Sequence, residues 1–226
     1  MTSLAPLRKL DDASRAPEAG PELRALLISL VEAGGMMPRE HSGVDQLDKA
    51  QRTMLTRLGV RVGALDLFVP AILRPEPMAL RRDLAVAAGK PVRGAAPDAR
   101  MPPVLATSRG HEAPGYRNLG KQLIRLDMAE KLLREAHDAR TTAGKRPFGL
   151  DPSRAISMGL TTASYARLLH LGGFDPLLPR RLKDAVQGPP APVRWRWRPP
   201  RRHTPSIRPA PARKESAFAA LAELVR

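Results

Sequence analysis

The stretch DPSRAISMGLTTASYARLLHLGGF, residues 151–174, carries the strongest local signals in the chain. Asp151-Pro152 is an N-cap and first-turn pair, Met158-Gly159-Leu160 is a turn, and Thr161 or Thr162 can cap a second helix. That helix runs through Tyr165, Leu168 and Leu169 to Gly172-Gly173, completing a helix-turn-helix outline. A groove-reading second helix would present Thr161, Thr162, Ser164, Arg167 and His170, which are polar but weakly basic. The same spacing also suits a degenerate winged-helix element used for packing or for lining a channel.

Working upstream, Leu123, Ile124, Leu126, Met128, Ala129, Leu132 and Leu133 predict a helix that begins after Tyr116 and ends near Gly144. Residues 90–115 are rich in Pro, Gly and Arg and read as a linker. Before them, Pro75-Glu76-Pro77 opens a helix carrying Met78, Leu80, Leu84 and Val86, stopped at Gly89. The run from Val60 to Val69 places β-branched and aromatic residues around Gly63 and predicts a short β-hairpin closed by Pro70. Two amphipathic helices precede it. The first starts at Pro21 and stops at Gly34-Gly35; the second is lined by Val44, Leu47, Met54, Leu55 and Leu58 and stops at Gly59.

The expected organisation is an extended lead-in with at most a short helix over 1–20, a helical domain with one hairpin over 21–89, and a helix-turn-helix-like domain over 116–187. The expected fold class is mainly α. Residues 188–214, GPPAPVRWRWRPPRRHTPSIRPAPARK, hold no acidic residue, and their prolines predict a disordered basic arm. Residues 215–226 return to helical spacing, with Phe218, Leu221 and Leu224 forming a docking stripe for a partner.

Composition narrows the chemistry. With 38 Lys and Arg against 22 Asp and Glu in 226 residues, the formal charge is +16, a field that captures polyanions. A GC-rich genome that inflates Arg, Ala and Pro is the bland alternative, but the charge concentrates in the arm. The absence of cysteine removes disulfides, thiolate metal sites and a cysteine nucleophile. The five histidines show no metal-ligand spacing, and Gly89-Lys90-Pro91 and Gly144-Lys145-Arg146 lack the P-loop hydroxyl, so both read as helix ends. No cofactor or catalytic motif is expected. The longest apolar stretch, Leu26 to Val31, is too short for a membrane span, which predicts an unanchored cytoplasmic protein.

In the arm, Arg194, Arg196 and Arg198 can pair with phosphates while Trp195 and Trp197 stack on unpaired bases, with Arg201, Arg202 and Arg208 adding charge. The opposing reading has the tryptophans packed back on the domain as an extended strand.

The segment Leu58 to Pro75, LGVRVGALDLFVPAILRP, resembles the region after the motor core in bacterial relatives of the mitochondrial degradosome DExH helicase. Leu47-Asp48, Ile124 to Leu132, Met158 to Phe174, and Ser216 to Leu221 occur in the same order as in that family, so the resemblance spans about residues 20–226. It implies a helical platform beside an RNA or single-strand channel. Both motor domains are missing, so helicase activity does not carry over.

The function expected from these readings is non-catalytic binding of nucleic acid, RNA or another single strand, by an accessory protein. A docking scaffold within a ribonucleoprotein and a part acting in trans on a separate helicase motor are the alternatives.

Overall fold

A computed structural model describes residues 4–89, 101–107, 112–178 and 192–198. Among them the chain forms seven α-helices and three antiparallel sheets of three strands each. The fold is therefore mixed α/β, which corrects the mainly α expectation with its single hairpin.

The lead-in expected to be mostly extended carries an 11-residue helix. Leu7, Leu10 and Ser14 share a face, Pro6 suits a first helical turn, and α1 (Ala5–Arg15) packs on α2 (Pro21–Glu32) with Leu10 fully buried. After α2, Gly34 and Gly35 take positive φ and turn the chain into β1 (Met36–Pro38). The helix expected from Val44 breaks. Val44–Gln46 is a 3-10 turn, Leu47 is extended, and α3 (Lys49–Arg57) starts at a capping box in which the Asp48 carboxylate accepts from Gln51 N and the Gln51 side chain accepts from Asp48 N. The expected hairpin is present as β2 (Arg61–Val62) and β3 (Asp66–Phe68), but β3 also pairs with β1, giving the order β1-β3-β2.

A 3-10 turn at Pro70–Leu73 and α4 (Pro75–Ala87) follow. The segment read as a linker contributes β4 (Val104–Ala106) and a buried Met101. The helix expected just after Tyr116 is delayed, because β5 (Tyr116–Asn118) and β6 (Gln122–Arg125) come first. Gly120 sits at φ +98°, and its N–H donates to the Asn118 side chain, which closes the hairpin. Leu123 joins the core around α2, while Ile124 joins the core around the next helix. Adjacent apolar residues on one strand therefore face two cores, a pattern that looks helical in sequence.

That next helix is α5 (Leu126–Ala143), followed by β7 (Phe148–Gly149), α6 (Ser153–Ser157), α7 (Thr162–Leu171), β8 (Phe174–Leu177) and β9 (Arg194–Trp197), with sheet order β7-β9-β8. The helix-turn-helix outline is present, with Thr161 accepting from Ser164 N as the N-cap of α7. Within the arm expected to be disordered, Arg194–Trp197 instead supplies the central strand of this sheet, while 188–191 and 199–214 lie outside the described residues. Arg-Trp-Arg-Trp has the period of a strand, and the nearby prolines flank it without interrupting it. Both halves thus run helix, strand, short helix, helix, strand, strand, with the last strand in the middle: α2-β1-turn-α3-β2-β3 and α5-β7-α6-α7-β8-β9. This is the connection order of a winged helix, used twice.

The units meet at Glu130, a residue of α5 that is 8% exposed. Its carboxylate accepts from the backbone N–H of Ala64 (2.6 Å), Leu65 (2.8 Å) and Asp66 (3.2 Å) at the turn between β2 and β3. Burial pushes the Glu130 carboxyl above the usual carboxylate range, against the pull of these three donors. A Cβ on Gly63 would lie 2.1 Å from the Glu130 carboxyl carbon, so only glycine lets the turn close on it. Arg117 of β5 grips Asp66 with two bonds of 2.8 and 2.6 Å, and Arg39 donates to Gly63 O.

Glu130→Ala strands three donors, one buried at Asp66 and two half-buried at Ala64 and Leu65, and is expected to cost roughly 2–4 kcal/mol in denaturant unfolding. Gly63→Ala is expected to cost about 1–3 kcal/mol in the parent chain and much less once Glu130 is alanine, because the clash partner is gone. Additive losses in that double-mutant cycle would contradict the close packing of the two.

Candidate nucleic-acid interface

Alternation along β9 sorts its side chains. Arg194, Arg196 and Arg198 are exposed on one side of the strand, while Trp195 is 7% exposed and belongs to the core with Phe148 and Leu168. Trp195 is paired in register with Phe148 and Pro176, and Trp197 with Phe174. The Trp195 ring is therefore taken up by packing, and its face is not open to a base. Trp197 is half-buried, with the Arg140 guanidinium 4.0 Å from its ring centre and the His137 ring edge-on at 6.0 Å. Burial, and then the charge of Arg140, hold His137 below the usual imidazole range. The indole N–H of Trp197 is buried without an acceptor.

Gly144, at φ +66°, turns the chain after α5 so that Lys145 and Arg146 come back toward Arg140. Together with Arg196, Phe148 and Trp197 they border a cleft of about 460 Å³ whose wall contains no acidic residue among the described residues. Arg140, Lys145, Arg146, Arg194 and Arg196 form no ion pair among the described residues. Arg198 is partly compensated by Asp175 at 3.4 Å. A larger cavity of about 640 Å³ beside α4 also has arginines in its wall, but Arg117 there is neutralised by Asp66 and Arg81 donates to Ala33 O. Of these two cavities, the smaller is the one whose bordering cations lack ion pairs among the described residues.

The other expected contacts are dispersed. The Thr161 N–H and hydroxyl both lie against the Gln122 side-chain oxygen, which docks the start of α7 on β6, whereas Thr162 and Arg167 are exposed. Arg201, Arg202, Arg208, Phe218, Leu221 and Leu224 lie outside the described residues. Sequence reasoning does not single out Arg140, Lys145 and Arg146 as a binding group. Their signal is present in Gly144-Lys145-Arg146, which invites comparison only with a nucleotide loop.

Among the described residues, no group of three His, Asp or Glu side chains could hold a metal, and no helix is long and apolar enough to cross a membrane. The chain matches no protein-family model, no curated protein and no solved structure.

Trp195→Ala is expected to lower stability by about 3–5 kcal/mol, as for other buried large-to-small changes. Trp197→Ala, at the cleft edge, is expected to cost less. Equal and small losses in chemical denaturation would mean that neither indole is part of the core.

Proposed function

We propose that the chain is a non-catalytic nucleic-acid-binding protein that holds a single strand, RNA or DNA, by its phosphates in the cleft between the end of α5 and β9. The observation that carries this reading is the set of four cations, Arg140, Lys145, Arg146 and Arg196, that border the cleft with neither an ion-pair partner nor an acidic neighbour in its wall among the described residues. Unpaired surface cations give little to folding, whereas they gain strongly from counterion release on a polyanion. The Arg140–Trp197 stack orients one guanidinium and leaves the others free to follow a flexible backbone. The resemblance to a helicase C-terminal region, the net charge of +16 and a cytoplasmic setting fit the same reading.

Stacking has a smaller part than the Arg-Trp alternation suggests, since one ring is buried and the other is covered by Arg140. Phosphate contacts therefore lead, and binding is tolerant of sequence. One observation favours the scaffold reading: the outer side of α4 exposes Leu80, Leu84 and Val86, at 39%, 52% and 62%. A protein partner on that face would leave the cleft open.

Fluorescence anisotropy with labelled single-stranded RNA across a salt series tests the proposal. The combined substitution Arg140→Ala, Lys145→Ala, Arg146→Ala and Arg196→Ala is expected to weaken binding and to flatten the log–log salt slope by about 0.7 for every phosphate that the variant no longer neutralises. Unchanged affinity and slope would remove the cleft from the interface.

A further inference from the structure

The helix that occupies the groove-reading position in the first winged-helix unit is α3, and it is better equipped than its counterpart α7. Lys49, Arg52, Thr53, Thr56 and Arg57 follow one another at helical spacing on one exposed face, and Arg61 of β2 is exposed just beyond it. None of these four cations forms an ion pair among the described residues. The nearby acids are already engaged: Asp48 caps α3, and Asp45 pairs with Arg39. Lys9 of α1 reaches the Arg57 carbonyl at 3.3 Å and adds a fifth charge at the end of α3. By contrast, α7 exposes Arg167, and its His170 lies 3.4 Å from Asp175.

We infer that the α3 face is a second nucleic-acid site, one that takes B-form duplex and lies apart from the single-strand cleft. Three features set the class. The face presents no aromatic side chain on which an unpaired base could stack. Lys49 and Arg57 are eight residues apart, about 12 Å along a helix, which matches the roughly 12 Å width of the B-DNA major groove. Cations at the two ends can therefore reach phosphates of both strands, whereas the major groove of A-form RNA is too narrow to admit the helix. The hydroxyls of Thr53 and Thr56 donate to the carbonyls of Lys49 and Arg52, so the face offers charge more than base-reading donors. The inference rests on the single-strand reading of the cleft only in holding that the two sites act on one substrate, a duplex with a single-stranded tail.

The experiment measures anisotropy of the full chain with a blunt DNA duplex, the matching single strand, the tailed duplex and a blunt RNA duplex. Changing Lys49, Arg52, Arg57 and Arg61 together to alanine is expected to cost roughly tenfold or more in DNA-duplex affinity and to leave single-strand affinity unchanged. Swapping the same positions as Lys49→Arg, Arg52→Lys, Arg57→Lys and Arg61→Lys keeps the charge and is expected to keep duplex binding, which separates loss of charge from loss of fold. The tailed duplex is expected to bind tighter than either part. Duplex affinity unmoved by the alanine set, or RNA duplex bound as tightly as DNA, overturns the inference. Single-strand affinity unmoved by the cleft substitutions overturns the proposed function instead.

Discussion

Three backbone N–H groups converging on one buried carboxylate hold this molecule together. Glu130 lies in the first helix of the second unit, and its donors lie in the turn of the first unit's hairpin, 66 residues away at Ala64. A carboxylate taken out of water is costly unless its oxygens are fully engaged, and the turn provides that engagement only because Gly63 has no side chain to block the approach. Arg117 on Asp66 and Arg39 on Gly63 O brace the same turn from the middle sheet and from the chain after β1. The consequence is positional: α3 and the cleft beside β9 belong to units tied at a built contact.

The same economy of charge explains the surfaces. Where arginine serves structure, it has a partner: Arg117 with Asp66, Arg125 with Asp127, Arg154 with Glu135. Among the arginines without an acidic partner in the described residues, two groups stand out, one around the cleft at the end of α5 and one along α3. β9 shows how one strand serves both purposes. Its tryptophans close the core over Phe148 and Phe174, and its arginines face out. Losing the indoles would remove the support that fixes the guanidinium positions.

Much of the helical framework is legible from punctuation. Pro21, Gly34, Pro75 and Gly89 mark α2 and α4, and Thr161 marks the start of α7. The hairpin at Gly63 is legible because β-branched and aromatic residues flank a turn. Strands of two to four residues whose partners are remote in sequence are not. Met36–Pro38 is too short to show a period, and Leu123-Ile124 mimics a helix because each residue faces a different core. Composition misleads in the arm, where proline content outweighs the alternation of Arg and Trp. The twofold use of one connection order leaves little trace in sequence, because α3 and α7 keep only a polar N-cap, a buried leucine and a glycine at the exit. The cleft is half legible: Arg196 and Trp197 stand out in the sequence, while Arg140, Lys145 and Arg146 need the fold to bring them together.

The most direct measurement is amide hydrogen exchange of the full chain with and without a saturating single-stranded RNA. Slowed exchange at residues 144–149 and 194–198 on binding is expected, with the α2 core unchanged. Binding that leaves those two segments unaltered would contradict a cleft between the end of α5 and β9 as the place where the strand is held.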